Sequence, residues 1–121
     1  MKPFFLVVHA DLFVADDLRE IIRTVVPEAE VGHATTFDEA TRRLAFDRTT
    51  YAVFFGGDGP LQPQDIGGLI DRQIAVGRID ESEDCDTRTP WERIVRMPFT
   101  NESVAEVLQD WLQRKPLTAV R

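Results

Sequence analysis

Two stretches of this chain are apolar at every position: Phe4, Phe5, Leu6, Val7 and Val8 form one, and Tyr51, Ala52, Val53, Phe54 and Phe55 the other. A strand with one wet face alternates polar and apolar residues. A strand that reads apolar throughout is covered on both faces, as strands are in a parallel sheet held between layers of helix.

Between these runs the hydrophobic period changes from two to three and four. Leu18, Ile21, Ile22, Val25 and Val26 make one helical stripe, with Asp16 or Asp17 placed to cap it and Pro27 to end it. Residues 30–34 alternate and are few, as in an edge strand that ends near His33. Thr36 and Glu39 have capping-box spacing and open a second helix through Ala40, Leu44 and Ala45. The second apolar strand stops at Gly56, Gly57, Asp58, Gly59 and Pro60, a dense turn signal.

The second half is less regular. Residues 63–73 read as a helix weakened by Gly67 and Gly68, and Ile74, Ala75 and Val76 as a short strand. Residues 78–90 lack apolar periodicity and hold an acidic cluster, so a helix between the fourth and fifth strands is expected to be short or absent, with Thr89, Pro90, Trp91 and Glu92 as one turn of it. Ile94, Val95, Arg96 and Met97 form the fifth strand. Thr100 or Asn101 caps a last helix with Val104, Val107, Leu108, Trp111 and Leu112 on one face, closed by Lys115 and Pro116. One domain over residues 1–113 with a tail or linker at 114–121 is expected, because 121 residues supply one core and not two.

Alternating strands and helices joined by right-handed crossovers give an α/β fold, with helices on both faces of the sheet. Its site lies at the carboxyl ends of the strands, here residues 9–13, 56–60, 77–79 and 97–100. The composition, 43% hydrophobic and 29% charged, is ordinary for a globular domain, and no apolar run approaches the roughly 20 residues of a membrane span. The first apolar run is broken by His9 and Asp11 and lacks a small-residue cleavage site, so a secretory signal is disfavoured and a cytoplasmic location expected. Cys85 is the single cysteine, which excludes an internal disulfide and a cysteine metal cluster; its acidic flanks disfavour the thiolate, and it reads as an exposed loop residue. A net charge of −7 repels phosphate backbones and anionic lipids, so neither direct nucleic-acid binding nor membrane binding is expected.

With the loops placed, residues 4–112 resemble a receiver domain of two-component response regulators. Three stretches carry the likeness: Phe5, Leu6, Val7 and Val8; residues 51–57; and residues 94–108, where a hydrophobic strand, the Pro98–Phe99 pair, the Thr100 cap and an amphipathic helix follow in the family's order. The resemblance implies a flavodoxin-like (βα)5 fold with strand order 2-1-3-4-5. It also implies a site in which an acidic pair after the first strand holds Mg²⁺ and an aspartate at the end of the third accepts a phosphoryl group. The hard cation needs carboxylate oxygens there. The pair's positions hold His9 and Ala10, and the acceptor position falls at Gly57, or at Gly56 if aligned on Pro60. A one-residue slip that brought in Asp11 and Asp58 would turn the apolar strand residues outward, so these two read as aspartates that cap or face solvent. The family's sensing hydroxyl falls near Gly77 and Arg78, its aromatic switch residue at Ile94, and its lysine at Met97, a flexible gap-filler.

The resemblance with these departures implies a degenerate receiver: a phosphorylation-independent interaction or dimerisation module of bacterial signalling or transcription control. Such a module is not an enzyme, needs no cofactor, and acts on a protein partner or a second copy. The Gly56–Gly57 turn and the Met97–Pro98 pair are similar to the N-terminal modules of enhancer-binding activators, flagellar master regulators among them. A second reading is a nucleotide or metabolite sensor, with His9 and the glycine turn of residues 56–59 lining the emptied pocket. His9 also invites a pH-sensing role, against the plainer one of a loop hydrogen bond. Leu12 and Phe13, expected in the first loop beside Leu61, suggest an apolar lid or a docking patch. Trp91 and the outer side of the last helix, Glu102, Glu106 and Asp110 with Arg93 and Arg96 nearby, form a second candidate interface.

Overall fold

The computed structural model describes residues 3–45, 50–56, 63–80, 91–96 and 99–114. The two apolar runs become β1 (Phe4–Val8) and β3 (Thr50–Gly56), neighbours at the middle of the sheet, and every residue of β1 is buried. Around them lie α1 (Leu12–Val25), β2 (Glu30–Ala34), α2 (Phe37–Ala45), α3 (Pro63–Asp71), β4 (Ala75–Asp80), β5 (Glu92–Arg96) and α4 (Asn101–Arg114). The five strands form one parallel sheet in the order β2-β1-β3-β4-β5, a flavodoxin-like, receiver-type arrangement.

Alternation along the strands divides the core. Phe5, Val7, Phe54 and Val95 face Leu18 and Ile22 of α1 and Val104, Leu108 and Trp111 of α4. Leu6, Val8, Val53, Phe55 and Val76 face Ala40 of α2 and Leu69 of α3. Four helices lie among the described residues, and the expected short or absent helix between β4 and β5 falls in residues 81–90, outside them.

Several boundaries differ from the sequence expectation. α1 begins at Leu12, capped by Asp11 instead of Asp16 or Asp17, so Leu12 and Phe13 belong to a helix and not a loop. β4 runs on through Gly77, Arg78 and Ile79, residues that look like strand breakers in sequence. Gly77 is required because the Phe54 ring lies across it: a Cβ there would meet Phe54 Cδ1 at 2.4 Å. Phe54 in turn packs on Trp111, ring centroids 5.5 Å apart. Arg78 is held within the sheet by Glu92 of β5, Nη1 to Oε2 3.2 Å. Glu92 therefore opens a strand and is not part of the expected helical turn, whose first residues, Thr89 and Pro90, lie outside the described residues; the Trp91 carbonyl accepts the Val76 N–H at 2.7 Å.

α3 stops at Asp71, short of Gln73. The Ile74 N–H bonds the Leu69 carbonyl at 3.0 Å and the Gln73 N–H that of Ile70 at 2.9 Å, with Gln73 at φ 64°, the two bonds of a Schellman cap. The capping box of α2 is half as expected. The Glu39 N–H donates to Thr36 Oγ1 (3.2 Å), while the Glu39 carboxylate reaches back one residue further, to the N–H and hydroxyl of Thr35.

Candidate functional site

The carboxyl end of the sheet is built on β1 and β3. Val8 pairs with Phe55, so the next residues out, His9 and Gly56, stand side by side. His9 extends the ladder by donating its N–H to the Ala34 carbonyl (3.0 Å), and its own carbonyl is met by His33 Nε2 at 3.0 Å. Since a carbonyl only accepts, His33 Nε2 is the donor in this contact. The His9 ring bends forward, and its Nδ1 accepts the Asp11 N–H at 2.9 Å. Asp11 Oδ1 accepts from the Phe13 N–H at 2.9 Å, and its carbonyl accepts from the Ala15 N–H. The segment from His9 to Phe13 is thus a hydrogen-bonded lead into α1, and the carboxylate of Asp11 is committed to the helix end, while Ala10 is exposed.

Gly56 closes β3 opposite Ile79 of β4. A Cβ on Gly56 would lie 2.7 Å from Ile79 Cβ, 2.9 Å from Ile79 O and 3.2 Å from His9 Cδ2. The room for a side chain at this position is already taken, by a fixed strand residue on one side and the imidazole on the other. The residue of β4 at the strand end beside Gly56 is Ile79, not Gly77 or Arg78; Gly77 sits two residues deeper, under Phe54. The sequence reading ends β4 at Val76 and takes residues 77–79 as the loop of the site; Ile79 is at the site, as a strand residue. That reading missed His33, whose place in an alternating edge strand was the available signal.

This donor set does not suit Mg²⁺. His9 offers no carboxylate, its Nδ1 and the Asp11 carboxylate are both used locally, and among the described residues no three His, Cys, Asp or Glu side chains gather. Gly57, Asp58, Gly59, Pro60, Leu61, Cys85, Met97, Pro98, Lys115 and Pro116, and the side chain of Arg96, lie outside the described residues.

The second candidate surface divides in two. Arg93 of β5 and Asp110 of α4 meet directly, Nη1 to Oδ2 2.8 Å, and Arg114 Nε adds a 3.3 Å contact to the same oxygen. Beside this pair a groove of about 290 Å³ runs between β5 and the first turns of α4, lined by Ile94, Thr100, Ser103, Glu106 and Val107. Trp91 does not join it. Its side chain packs against the core under α1 and α4 and lines a separate cleft of about 250 Å³ with Ile70, Gln73 and Ile74. Leu12 and Phe13, by contrast, are 58% and 84% exposed, too open to lie as a lid over Gly56.

No protein-family model matches the chain, and none of the curated proteins does. Solved structures do. A response regulator receiver domain protein of Clostridium thermocellum superposes with a TM-score of 0.75 at 18% identity, over 96% of this chain and 98% of that one. The chemotaxis response regulator CheY4 of Vibrio cholerae gives 0.72 at 12%, over 93% and 100%. The anti-anti-sigma factor PhyR of Bartonella quintana gives 0.72 at 15%, over 98% of this chain and 51% of that one. At such identities the likeness speaks to the fold: the chain has the fold of a response-regulator receiver domain.

Proposed function

We propose that the chain is a receiver-fold module that works through protein contact in bacterial signal transduction or transcription control, without phosphoryl transfer. The observation that carries this reading is the filled space over Gly56, one of the two positions, with Gly57, at which the acceptor would fall: a side chain there would meet Ile79 and His9. Charge supply fails as well, because Asp11 is spent on capping α1. The alternative, a nucleotide or metabolite sensor, would draw on His9 and the turn of residues 56–59, of which 57–59 lie outside the described residues. In this reading the module is not an enzyme, acts in the cytoplasm, and meets a protein partner or a second copy of itself. The likeness to a protein named as an anti-anti-sigma factor supports contact-based regulation by analogy of fold.

The test is exposure of the chain to acetyl phosphate or beryllofluoride with Mg²⁺. Unchanged intact mass and an unchanged amide spectrum are expected. Stoichiometric beryllofluoride binding with shifts around His9 and Gly56 would overturn the reading.

A further inference from the structure

Among the described residues, the large apolar side chains left in solvent are Leu12 and Phe13, both in the first turn of α1. Neither belongs to the buried stripe of that helix, made by Ala15, Leu18, Ile21 and Ile22. What shares their side of the helix is mainly acid at its start, with Arg19 and Arg23 further along it. Counting from Phe13 by three, four and seven reaches Asp16, Asp17 and Glu20, all exposed, and residues so spaced are neighbours on a helix surface. Among the described residues Arg19 answers one of these three carboxylates, Asp16, at 3.4 Å, and exposed Arg23 stands one turn beyond Glu20. Solvation accounts for exposed carboxylates but not for an aromatic ring kept in water next to them. The lead from His9 to Asp11 fixes where this turn begins, so the two apolar side chains are presented on a rigid element.

Resting on the reading of the chain as a contact module, we propose that this face of α1 docks a protein segment whose contact side is apolar and rich in lysine or arginine. Phe13 and Leu12 supply the desolvated anchor, and Asp16, Asp17 and Glu20 supply orientation and rate of encounter, the usual division between apolar centre and charged rim. The same acids repel anionic lipid and nucleic acid, which removes those as occupants.

The test titrates the isotopically labelled full chain with a synthetic amphipathic leucine–lysine helix, its leucine–glutamate counterpart, and a scrambled leucine–lysine control. Amide shifts centred on residues 12–20 are expected with the lysine peptide alone. Phe13→Ser should weaken binding about tenfold or more while leaving the circular dichroism spectrum unchanged, and added salt should weaken it further. Asp16→Lys with Asp17→Lys should move the preference to the glutamate peptide. Shifts centred on Glu106 and the β5–α4 groove would overturn the proposal while leaving the contact-module reading intact; so would shifts that vanish on dilution of the chain alone, no binding by any peptide, or equal binding by the scrambled peptide. Phosphoryl uptake with Mg²⁺ would instead overturn the contact-module reading itself.

Discussion

At the scale of single residues, Gly56 decides whether the site can be repaired. Restoring a carboxylate there asks the new Cβ to fit 2.7 Å from Ile79 Cβ and 2.9 Å from Ile79 O, atoms fixed by the β3–β4 ladder. The His9 ring at 3.2 Å can swing, but the strand cannot. Gly56→Asp is therefore expected to lose about 1–3 kcal/mol of stability through overpacking, read as a lower urea midpoint, and to remain blind to beryllofluoride with Mg²⁺. A variant as stable as the parent, or one that binds the mimic, would show that the room exists. Gln73 is the opposite case. It holds the left-handed position of the α3 cap at φ 64° with a side chain that disfavours it. Gln73→Gly keeps both cap hydrogen bonds and removes the penalty, so a gain of about 1 kcal/mol is expected as a higher urea midpoint at unchanged slope. No gain would mean that the side chain's own contacts offset the strain.

At the scale of elements, helix starts set the geometry of both candidate surfaces. Thr100 and Ser103 cap α4 reciprocally: Thr100 Oγ1 accepts the Ser103 N–H at 3.1 Å, and Ser103 Oγ accepts the Thr100 N–H at 2.9 Å. Thr100→Ala should cost about 1 kcal/mol, and Ser103→Ala added to it much less than when made alone, as a double-mutant cycle in urea would register. Strictly additive losses would mean that the two caps act independently. The same cap was legible in sequence, as were β1, β3 and the apolar stripes of α1 and α4, because each is a local pattern that long-range packing reinforces. β4 was not. Its continuation past Val76 depends on Phe54 lying over Gly77 and on Glu92 pairing with Arg78, partners 23 and 14 residues away by sequence number. Asp11 was missed as a cap because Leu12 and Phe13 do not continue the buried stripe, and a pattern reader starts the helix where the stripe starts. For the site, His9 and Gly56 could be found by their distance from apolar runs. That Ile79 fills the space between strands could not, since it requires the register of β4.

At the scale of the whole molecule, the fold's hold on its middle strand can be read from one group. Tyr51, the single tyrosine of the chain, is fully buried in β3 against Phe5, ring centroids 5.2 Å apart. Burial penalises the phenolate and pushes the pKa up from 10.0 to about 12. The sign follows from proton counting: between those values the unfolded chain has given up a proton that the folded chain keeps, so raising the pH favours unfolding. The contribution is intact below pH 10 and is lost as the pH rises through about 12, a total of about 2–3 kcal/mol. Because Tyr51 is buried in the core layer under α1 and α4, water reaches the ring when that packing opens. The phenolate absorbance band should accordingly rise together with the loss of helical circular dichroism, and Tyr51→Phe should flatten the fall of the urea midpoint across this alkaline range. A phenolate that forms near pH 10 in a chain still folded by circular dichroism would show that the core layer around Tyr51 is open to solvent in the folded chain.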